Sequence, residues 1–335
     1  MSWGEAQPSK LGAQPVGETA LVAEGVYQLK LPVPFPLAFI SAYLIEGDDG
    51  WTLLDTGYDY PEGRVAWEAG ARRAGLDLGR DVARIVVTHF HPDHLGSARW
   101  LQERSGAPVY MLKGEIEHSR EVWEEPDPSA FSGHLIRGGM ERAPAEKAAG
   151  DMRAGLALPE VMLPLWNREE ITLGSGRARV VHVPGHADYQ IALYDAGRKA
   201  LFAADHMMLG ITPNIGFWPD SKPQPLARYL ASLKNLRGLP TDLVLPGHGP
   251  LFHGLDARIE ELLRHHEERL NLMHGTLSKS CKTPFAISRT VFRYTLSLYE
   301  RCFALAETMA HLDHLTLQNR AQRLEEDGVV AYRAA

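Results

Sequence analysis

The stretch "VVTHFHPDHLG", residues 86–96, places three histidines and one aspartate among the six positions from His89 to His94. The apolar residues before it predict a short buried strand, and those after it predict the start of a helix. Imidazole and carboxylate groups are ligands that Zn²⁺ prefers. Because alternate residues of an extended segment point the same way, His89 and His91 can bind one metal ion. Asp93 and His94 then point to a second position, and these four ligands are too few to close two sites.

Three further ligand-type residues stand at the ends of apolar strand patterns. They are His186 in "PGHAD", Asp205 in "FAADH" and His248 in "LPGHG". The predicted first metal set is His89, His91 and His186, and the predicted second set is Asp93, His94 and His248. Asp205 is predicted to bridge the two metals. Two metals about 3.5 to 4 Å apart can share a hydroxide and clamp the attacking and leaving oxygens of a substrate, which is hydrolytic chemistry.

With Asp55 in "LLDTG" preceding this ordered set, the sequence resembles the metallo-β-lactamase fold superfamily, on the hydrolase side that includes glyoxalase II. The resemblance implies an α/β fold, the αββα four-layer sandwich with two mixed sheets face to face, helices outside and the metals at one edge. It also implies that Asp55 holds the ligand loop through hydrogen bonds rather than binding metal.

Two departures from relatives in this superfamily narrow the expected chemistry. Asp205 stands where β-lactamases of the largest subclass have a cysteine ligand, which argues against β-lactam hydrolysis. His91 stands where the oxygen-reducing diiron branch usually has glutamate, and an imidazole there favours zinc-type hydrolysis. The expected cofactor is therefore two Zn²⁺ ions, with iron or manganese as alternatives.

The 335 residues, 44% of them hydrophobic, are enough for one large domain and an appendage. Strand and helix patterns alternate over residues 22–254 and predict the catalytic α/β domain. Residues 1–21 are predicted to be a flexible segment, and 113–165 a helical insertion. Residues 255–335 are predicted to form a small, mostly helical domain, which resembles a winged-helix-like extension found in bacterial relatives. Within it, one helical run is predicted over 289–326, followed by a terminal strand in "GVVAYRA".

Composition sets bounds on partners and compartment. The formal net charge of -7 weighs against nucleic acid as a partner without excluding it. Cys281 and Cys302 cannot build a disulfide framework. No signal peptide is predicted, and no segment approaches the roughly 18 apolar residues of a membrane-spanning helix. We therefore expect a cytoplasmic protein without a membrane partner. An apolar stripe on a helix over 259–277 is compatible with a homodimer.

The leading functional hypothesis is a dinuclear zinc hydrolase acting on a small molecule. A metal-bridging hydroxide attacks an activated carbonyl, favoured substrates are thioesters or esters, and Asp93 and Asp205 hold the metals and orient the nucleophile. One alternative is a metal-dependent phosphodiesterase or endoribonuclease, and another is a non-catalytic metal or metabolite sensor. Candidate substrate contacts, with packing as the alternative role, are His206, Asn214, Phe217 and Trp218.

Overall fold

The computed structural model describes residues 5–277, 280–292 and 295–335. The chain forms two compact units, each built from three separate segments. The first unit comprises Met1–Glu124, Leu156–Pro213 and Leu236–Ile259, and the second comprises Glu125–Gly155, Asn214–Asn235 and Glu260–Ala335. The division predicted from sequence is linear, whereas the observed units are discontinuous. Most of the predicted insertion belongs to the second unit.

The described part of the first unit contains two seven-stranded sheets. One sheet has the order β2 (Thr19–Ala23), β3 (Val26–Leu31), β4 (Ile40–Ile45), β5 (Trp51–Leu54), β6 (Val82–Val86), β7 (Val109–Leu112) and β8 (Met162–Leu165). The other has the order β1 (Gln7–Pro8), β14 (Phe252–His253), β13 (Leu243–Pro246), β12 (Ala200–Ala204), β11 (Ile191–Asp195), β10 (Gly176–His182) and β9 (Glu170–Leu173). The helices are α1 (Pro61–Ala74), α2 (Pro92–Leu95), α3 (Ala98–Ser105), α4 (Lys113–Trp123) and the start of α8 (Leu255–Thr276).

Strand direction places five strand ends where the ligand residues are needed. In one sheet, β5 and β6 are parallel, with Leu54 opposite Val86. In the other sheet, β12 and β13 are parallel, with Phe202 opposite Leu245. The β10 strand has the same direction as β12, because both are antiparallel to β11. Carboxyl ends of equally directed strands meet at one sheet edge, so the loops that follow these strands lie together at that edge of each sheet.

The apolar core between the two sheets packs them face to face and so fixes the relative position of the two edges that carry the ligand loops. Side chains from both sheets share one buried cluster that includes Tyr43, Val86, Phe202 and Leu245. The rings of Tyr43 and Phe202 contact edge to face, with centroids 5.3 Å apart. The Tyr43 hydroxyl donates a hydrogen bond to the carbonyl of Pro246 at 2.7 Å. This bond ties a strand of one sheet to the end of β13 in the other.

Helices cover the outer face of the first sheet. One of them is α1, and the residues at its two ends explain where this helix begins and ends. Proline stands at the first helical position, where its missing N–H costs nothing. The helix ends at Gly75, whose φ of 81° is the left-handed conformation that terminates helices. Trp67 is fully buried against the sheet, and its indole N–H donates to the carbonyl of Thr56 at 2.7 Å. The helix thereby contacts the residue that follows Asp55.

The predicted flexible segment is tied to both sheets in its described part, residues 5–21. Gln7–Pro8 pairs with β14, and Thr19 begins β2, which pairs with β3. These residues pair there because the edges of both sheets offer unpaired N–H and C=O groups, and the flexibility of the segment stays a prediction. The pattern of Gly, Pro and Gln in this segment does not reveal such pairing.

The second unit is mostly helical and carries one hairpin in its described part. Its elements are α5 (Pro128–Arg137), α6 (Arg142–Met152), α7 (Pro225–Asn235), most of α8, α9 (Pro284–Val291), α10 (Leu298–Leu317), β15 (Ala321–Glu326) and β16 (Val329–Ala334). Residues of α5, α6 and α10 share a buried apolar cluster that includes Phe131, Ala145 and Leu305. Within residues 5–277, 280–292 and 295–335, none of the helices has the length and apolarity needed to span a bilayer.

The long helix predicted over 289–326 is wrong, whereas the predicted terminal strand is confirmed. α10 starts at Ser297, whose side chain forms a capping box with Glu300. It stops because Asn319 adopts a left-handed φ of 56° and the Arg320 N–H bonds back to the carbonyl of Leu315 at 2.9 Å. The following residues pair with β16 instead. In the sequence this capping box appears as "SLYE", residues 297–300.

Two buried histidines pair inside the second unit. His311 Nδ1 donates to the carbonyl of Glu307 at 2.7 Å, so its Nε2 must accept the proton of His266 Nδ1, which lies 3.1 Å away. Both rings are almost completely buried, with exposed fractions of 1% for His266 and 0% for His311. Burial lowers the pKa of each imidazole, and the neighbouring His311 adds to the shift at His266. The pair is therefore neutral in the folded protein.

We expect this pair to make stability fall with acid. Below about pH 6.5 the unfolded chain binds protons that the folded pair excludes. The free energy of unfolding therefore falls by about 1.4 kcal/mol per pH unit for each histidine. In the double variant His266→Gln/His311→Gln, the free energy of unfolding from urea titrations should decline less steeply between about pH 6 and pH 4. The exposed His253→Gln variant is the matched control. Equal slopes in the double variant and the wild type would contradict this account.

Candidate metal centre

Loops that follow β6, β10, β12 and β13 bring seven ligand-type side chains together. The ligand atoms within each of three groups lie within 4.8 Å of one another: His89 with His91 and His186, His89 with His94 and Asp205, and Asp93 with His94 and His248. The first and third groups are the two metal sets predicted from sequence. Five imidazoles and two carboxylates thus occupy one edge of the first unit.

Asp205 lies between the two predicted metal sets. Its Oδ1 is 3.3 Å from His94 Nε2, while its Oδ2 is 3.4 Å from His248 Nε2 and 3.6 Å from His186 Nε2. Asp93 Oδ2 lies 3.1 Å from His248 Nε2. One carboxylate therefore contacts a histidine of the first set and two histidines of the second, which is the geometry that a bridging ligand requires.

Hydrogen bonds from outside the cluster fix how two of the histidine rings face it. His94 Nδ1 donates to Asp55 Oδ2 at 2.8 Å, and His248 Nδ1 donates to the carbonyl of Phe39 at 2.7 Å. With Nδ1 protonated, each neutral ring directs the Nε2 lone pair toward the carboxylates. Asp55 also accepts hydrogen bonds from the N–H and hydroxyl of Thr88, at 2.8 and 2.9 Å. It thus bonds the ligand loop at two points.

Burial and nearby carboxylates shift the pKa values of the cluster in opposite directions. Burial lowers the pKa of His89 well below its usual value, and the neighbouring His94 and His91 add to the effect. Burial also acts to lower the pKa of His248, yet the carboxylates of Asp205 and Asp93 raise it to about 10. The cluster therefore combines neutral imidazoles with carboxylates that stabilise positive charge.

The residues fit a divalent metal by two observations. His94 Nε2 and Asp205 Oδ1 are buried and lie 3.3 Å from each other, but they are not aligned as a hydrogen bond and neither atom has another hydrogen-bond partner among the described residues. Such atoms are rare in folded proteins and point to a ligand or ion. The donor set of imidazole nitrogen and carboxylate oxygen is also the one that zinc prefers.

The backbone is strained where Asp205 leaves its strand. Ala204 has a φ of 47°, in the left-handed region that costs a residue with a side chain roughly 1 to 3 kcal/mol. The Ala204 carbonyl accepts a hydrogen bond from the N–H of Gly247 at 2.8 Å, which links the loops carrying Asp205 and His248. Strain of this kind is typical of functional sites.

Sequence reasoning missed Gly247, which contacts the cluster directly. A Cβ atom at this position would lie 2.3 Å from Asp205 Oδ1 and 2.9 Å from His94 Cε1. Only glycine leaves room for both ligands, and the signal was present in the sequence as the glycine before His248. Glu115 and Trp123 were also missed. They contact the ligand loop from a distant helix, and no local pattern indicates this.

The four predicted substrate contacts fall in different parts of the chain. His206 follows Asp205 but is fully buried, and burial lowers its pKa to about 3. Asn214, Phe217 and Trp218 belong to the second unit. There Asn214 Nδ2 donates to Glu307 Oε2 at 3.3 Å and Phe217 N–H donates to the carbonyl of Ala306 at 3.0 Å. Trp218 stacks on Phe131 with ring centroids 5.5 Å apart. Their role as substrate contacts stays a prediction.

Comparison with known proteins identifies the family. Residues 36–248 match the metallo-β-lactamase superfamily. The chain belongs to the metallo-β-lactamase superfamily. Residues 270–335 match the metallo-β-lactamase-like C-terminal domain. A relative from Bacillus subtilis (strain 168), described as the probable metallo-hydrolase YqjP, is 23% identical over an alignment of 325 residues that covers 93% of this chain and 99% of the relative.

Two solved structures of metallo-β-lactamase family proteins resemble this one over nearly the whole chain. A beta-lactamase domain protein from Burkholderia ambifaria has 31% identity and a TM-score of 0.88, with 98% of each chain covered. A metallo-β-lactamase family protein from Thermus thermophilus has 30% identity and a TM-score of 0.84, covering 94% of this chain and all of the other. The predicted fold class is confirmed, and the chain is placed among the metallo-hydrolases of this superfamily.

We expect Gly247→Ala to weaken metal binding in this superfamily member. The added methyl group displaces Asp205 or His94, so zinc affinity should fall by about 10- to 100-fold, as for other disturbances of ligand orientation. Competition with a chromophoric chelator measures the affinity. Gly133→Ala in α5 is the matched control, since a Cβ there meets open space. Wild-type affinity in Gly247→Ala would show that Asp205 and His94 do not depend on this close approach.

Proposed function

We propose that the protein is a dinuclear zinc hydrolase whose substrates are thioesters or esters with an activated carbonyl. The observation that carries the proposal is the position of Asp205, whose carboxylate lies within 3.6 Å of His94, His186 and His248. A shared carboxylate between two histidine-bearing ligand sets supports a pair of metals rather than one.

Two zinc ions at this edge would supply Lewis acidity and lower the pKa of water. The chain itself contributes orientation and a dry environment. Asp93 and Asp205 would hold the cations and, through their remaining oxygen lone pairs, would orient the attacking nucleophile. Both carboxylates are buried, with exposed fractions of 9% and 6%. Electrostatic interactions with developing charge are stronger in such surroundings than in water.

An apolar loop beside the metal centre supports a substrate with an apolar acyl part. Residues 33–39 have the sequence "VPFPLAF" and end at Phe39, whose carbonyl accepts the hydrogen bond from His248 Nδ1. Leu37 in this loop is 38% exposed, and the Phe35 ring packs edge to face on Tyr58. An exposed apolar surface next to a catalytic centre favours an acyl chain over a phosphate backbone.

The ligand carboxylates pair with histidines of the two predicted metal sets. Asp93 pairs with His94 and His248, and Asp205 pairs with these two and with His186. Both carboxylates thus pair with imidazoles, which are themselves predicted metal ligands. The site chemistry supports thioester or ester hydrolysis as the first activity to test.

The test is removal and restoration of the metal. Protein stripped with a chelator and reloaded with zinc is assayed on an acyl-CoA thioester, a glutathione thioester, an aryl ester, a lactone and a bis-aryl phosphodiester. We expect thioester or ester turnover to disappear on stripping and to return with two equivalents of zinc. Undiminished turnover in the stripped protein would refute the proposal. Turnover of the phosphodiester alone would favour a phosphodiesterase, and turnover of none would favour a sensor.

Asp205→Asn should separate the bridging role from general stability. The amide keeps the size of the side chain but loses its negative charge, so we expect kcat to fall by at least about 100-fold and the zinc content to drop toward one equivalent. Elemental analysis and steady-state kinetics measure these two effects. Asp195→Asn is the matched control, because Asp195 is also buried but forms an ion pair with Arg198. If Asp205→Asn retained two zinc ions and wild-type kcat, Asp205 would not be a bridging ligand.

A further inference from the structure

One residue between two predicted ligands has both of its backbone polar groups bonded to a single helix. Phe90 stands between His89 and His91. Its N–H donates to Glu115 Oε1 at 2.6 Å, and its carbonyl accepts a hydrogen bond from Trp123 Nε1 at 2.9 Å. Both partners belong to α4, and both are buried. The helix thereby fixes the peptide orientation on each side of Phe90, and with it the directions of the two neighbouring imidazoles.

The same helix also contacts the loop that carries His186. The backbone of Tyr189 lies close enough to the Glu115 carboxyl to act on its pKa, as the backbone of Phe90 does. Gly114 lies so close to Tyr189 that a Cβ atom there would be 2.4 Å from the ring. The His118 ring lies between the two segments, with centroids 4.7 Å from Phe90 and 6.2 Å from Tyr189. The start of α4 therefore joins the two loops that supply the first metal set.

The second metal set is anchored by other groups. Asp55 bonds His94, while the carbonyl of Phe39 bonds His248. Neither of these two contacts involves α4. The two sets can therefore respond differently to a change in Glu115.

We propose that Glu115 is a positioning residue for the metal site formed by His89, His91 and His186. The proposal rests on the proposed dinuclear metal centre. It adds a residue that is not itself a predicted metal ligand. Glu115 acts through the backbone of the two ligand loops rather than by touching metal or substrate. Its exposed fraction is 0%, which leaves contact with neighbouring residues as its means of action.

The hydrogen bond to Phe90 does not require an ionised side chain. Burial raises the pKa of Glu115 to about 8, and the nearby Asp188 adds to the shift. A protonated carboxyl still offers a carbonyl oxygen to the Phe90 N–H. A glutamine offers the same oxygen, so Glu115→Gln is the conservative variant. Alanine removes the acceptor and leaves a buried N–H without a partner, which a folded protein relieves by moving the backbone.

The experiment measures each metal site separately in the full-length protein. His248→Ala removes a ligand of the second set, and His186→Ala removes a ligand of the first. Adding Glu115→Ala to the His248→Ala protein should weaken zinc binding by about 10- to 100-fold, the usual effect of losing an outer hydrogen bond at a metal site. Adding it to the His186→Ala protein should leave zinc affinity unchanged. Competition with a chromophoric chelator supplies both values, and Glu115→Gln should restore the affinity of the first site.

Two further variants keep the test decisive. Ser119→Ala is the control, because Ser119 is also buried on α4 but its hydroxyl donates to the carbonyl of Ile116 in the same helix. If Glu115→Ala fails to fold, Trp123→Phe removes the second bond to Phe90 while keeping an aromatic ring, and it should weaken the same site.

The outcomes separate this proposal from the proposed function. Unchanged affinity in the His248→Ala background overturns the role of Glu115, and the hydrolase proposal stands if the wild type binds two zinc ions and turns over substrate. Equal loss in both backgrounds, together with a lowered Tm, shows a general structural role and also overturns it. A wild type that takes up no zinc overturns both proposals.

Discussion

Charge compensation at two buried aspartates is the constraint on which the site depends. Asp93 and Asp205 are almost completely shielded from water, and an ionised carboxylate in that environment is unfavourable by several kcal/mol unless a positive charge lies beside it. His94 and His248 can supply that charge as protons, or a bound cation can supply it. Metal ligation needs the neutral form of both rings. A bound cation would thus take the place of these protons beside the two carboxylates.

The architecture meets this constraint by joining loops from two sheets. His89 to His94 follow a strand of one sheet, whereas Asp205 and His248 follow strands of the other. Backbone hydrogen bonds cross between the sheets near the ligands, from the Ser41 N–H to the Gly247 carbonyl at 2.7 Å and from the Ile191 N–H to the Thr88 carbonyl at 3.0 Å. Ligand spacing therefore depends on how the sheets pack, and the central apolar core contributes to the chemistry as well as to stability.

The sequence predicts the fold class, and it also predicts which seven side chains lie together, because ligand-type residues stand at strand ends in a fixed order. It predicts outer contacts poorly. Glu115 and Trp123 reach Phe90 across 25 and 33 positions, and only the folded chain brings them together. The discontinuous units are likewise a property of three-dimensional packing. The helix predicted over 289–326 failed because a left-handed Asn319 reverses the chain, and hydrophobic spacing does not report backbone conformation.

Anomalous diffraction at the zinc edge, from crystals grown with zinc, tests the central claim most directly. The account predicts two peaks about 3.5 to 4 Å apart, one bounded by His89, His91 and His186 and the other by Asp93, His94 and His248, with Asp205 touching both. A single peak that Asp205 does not contact, or no peak within this cluster, would contradict it.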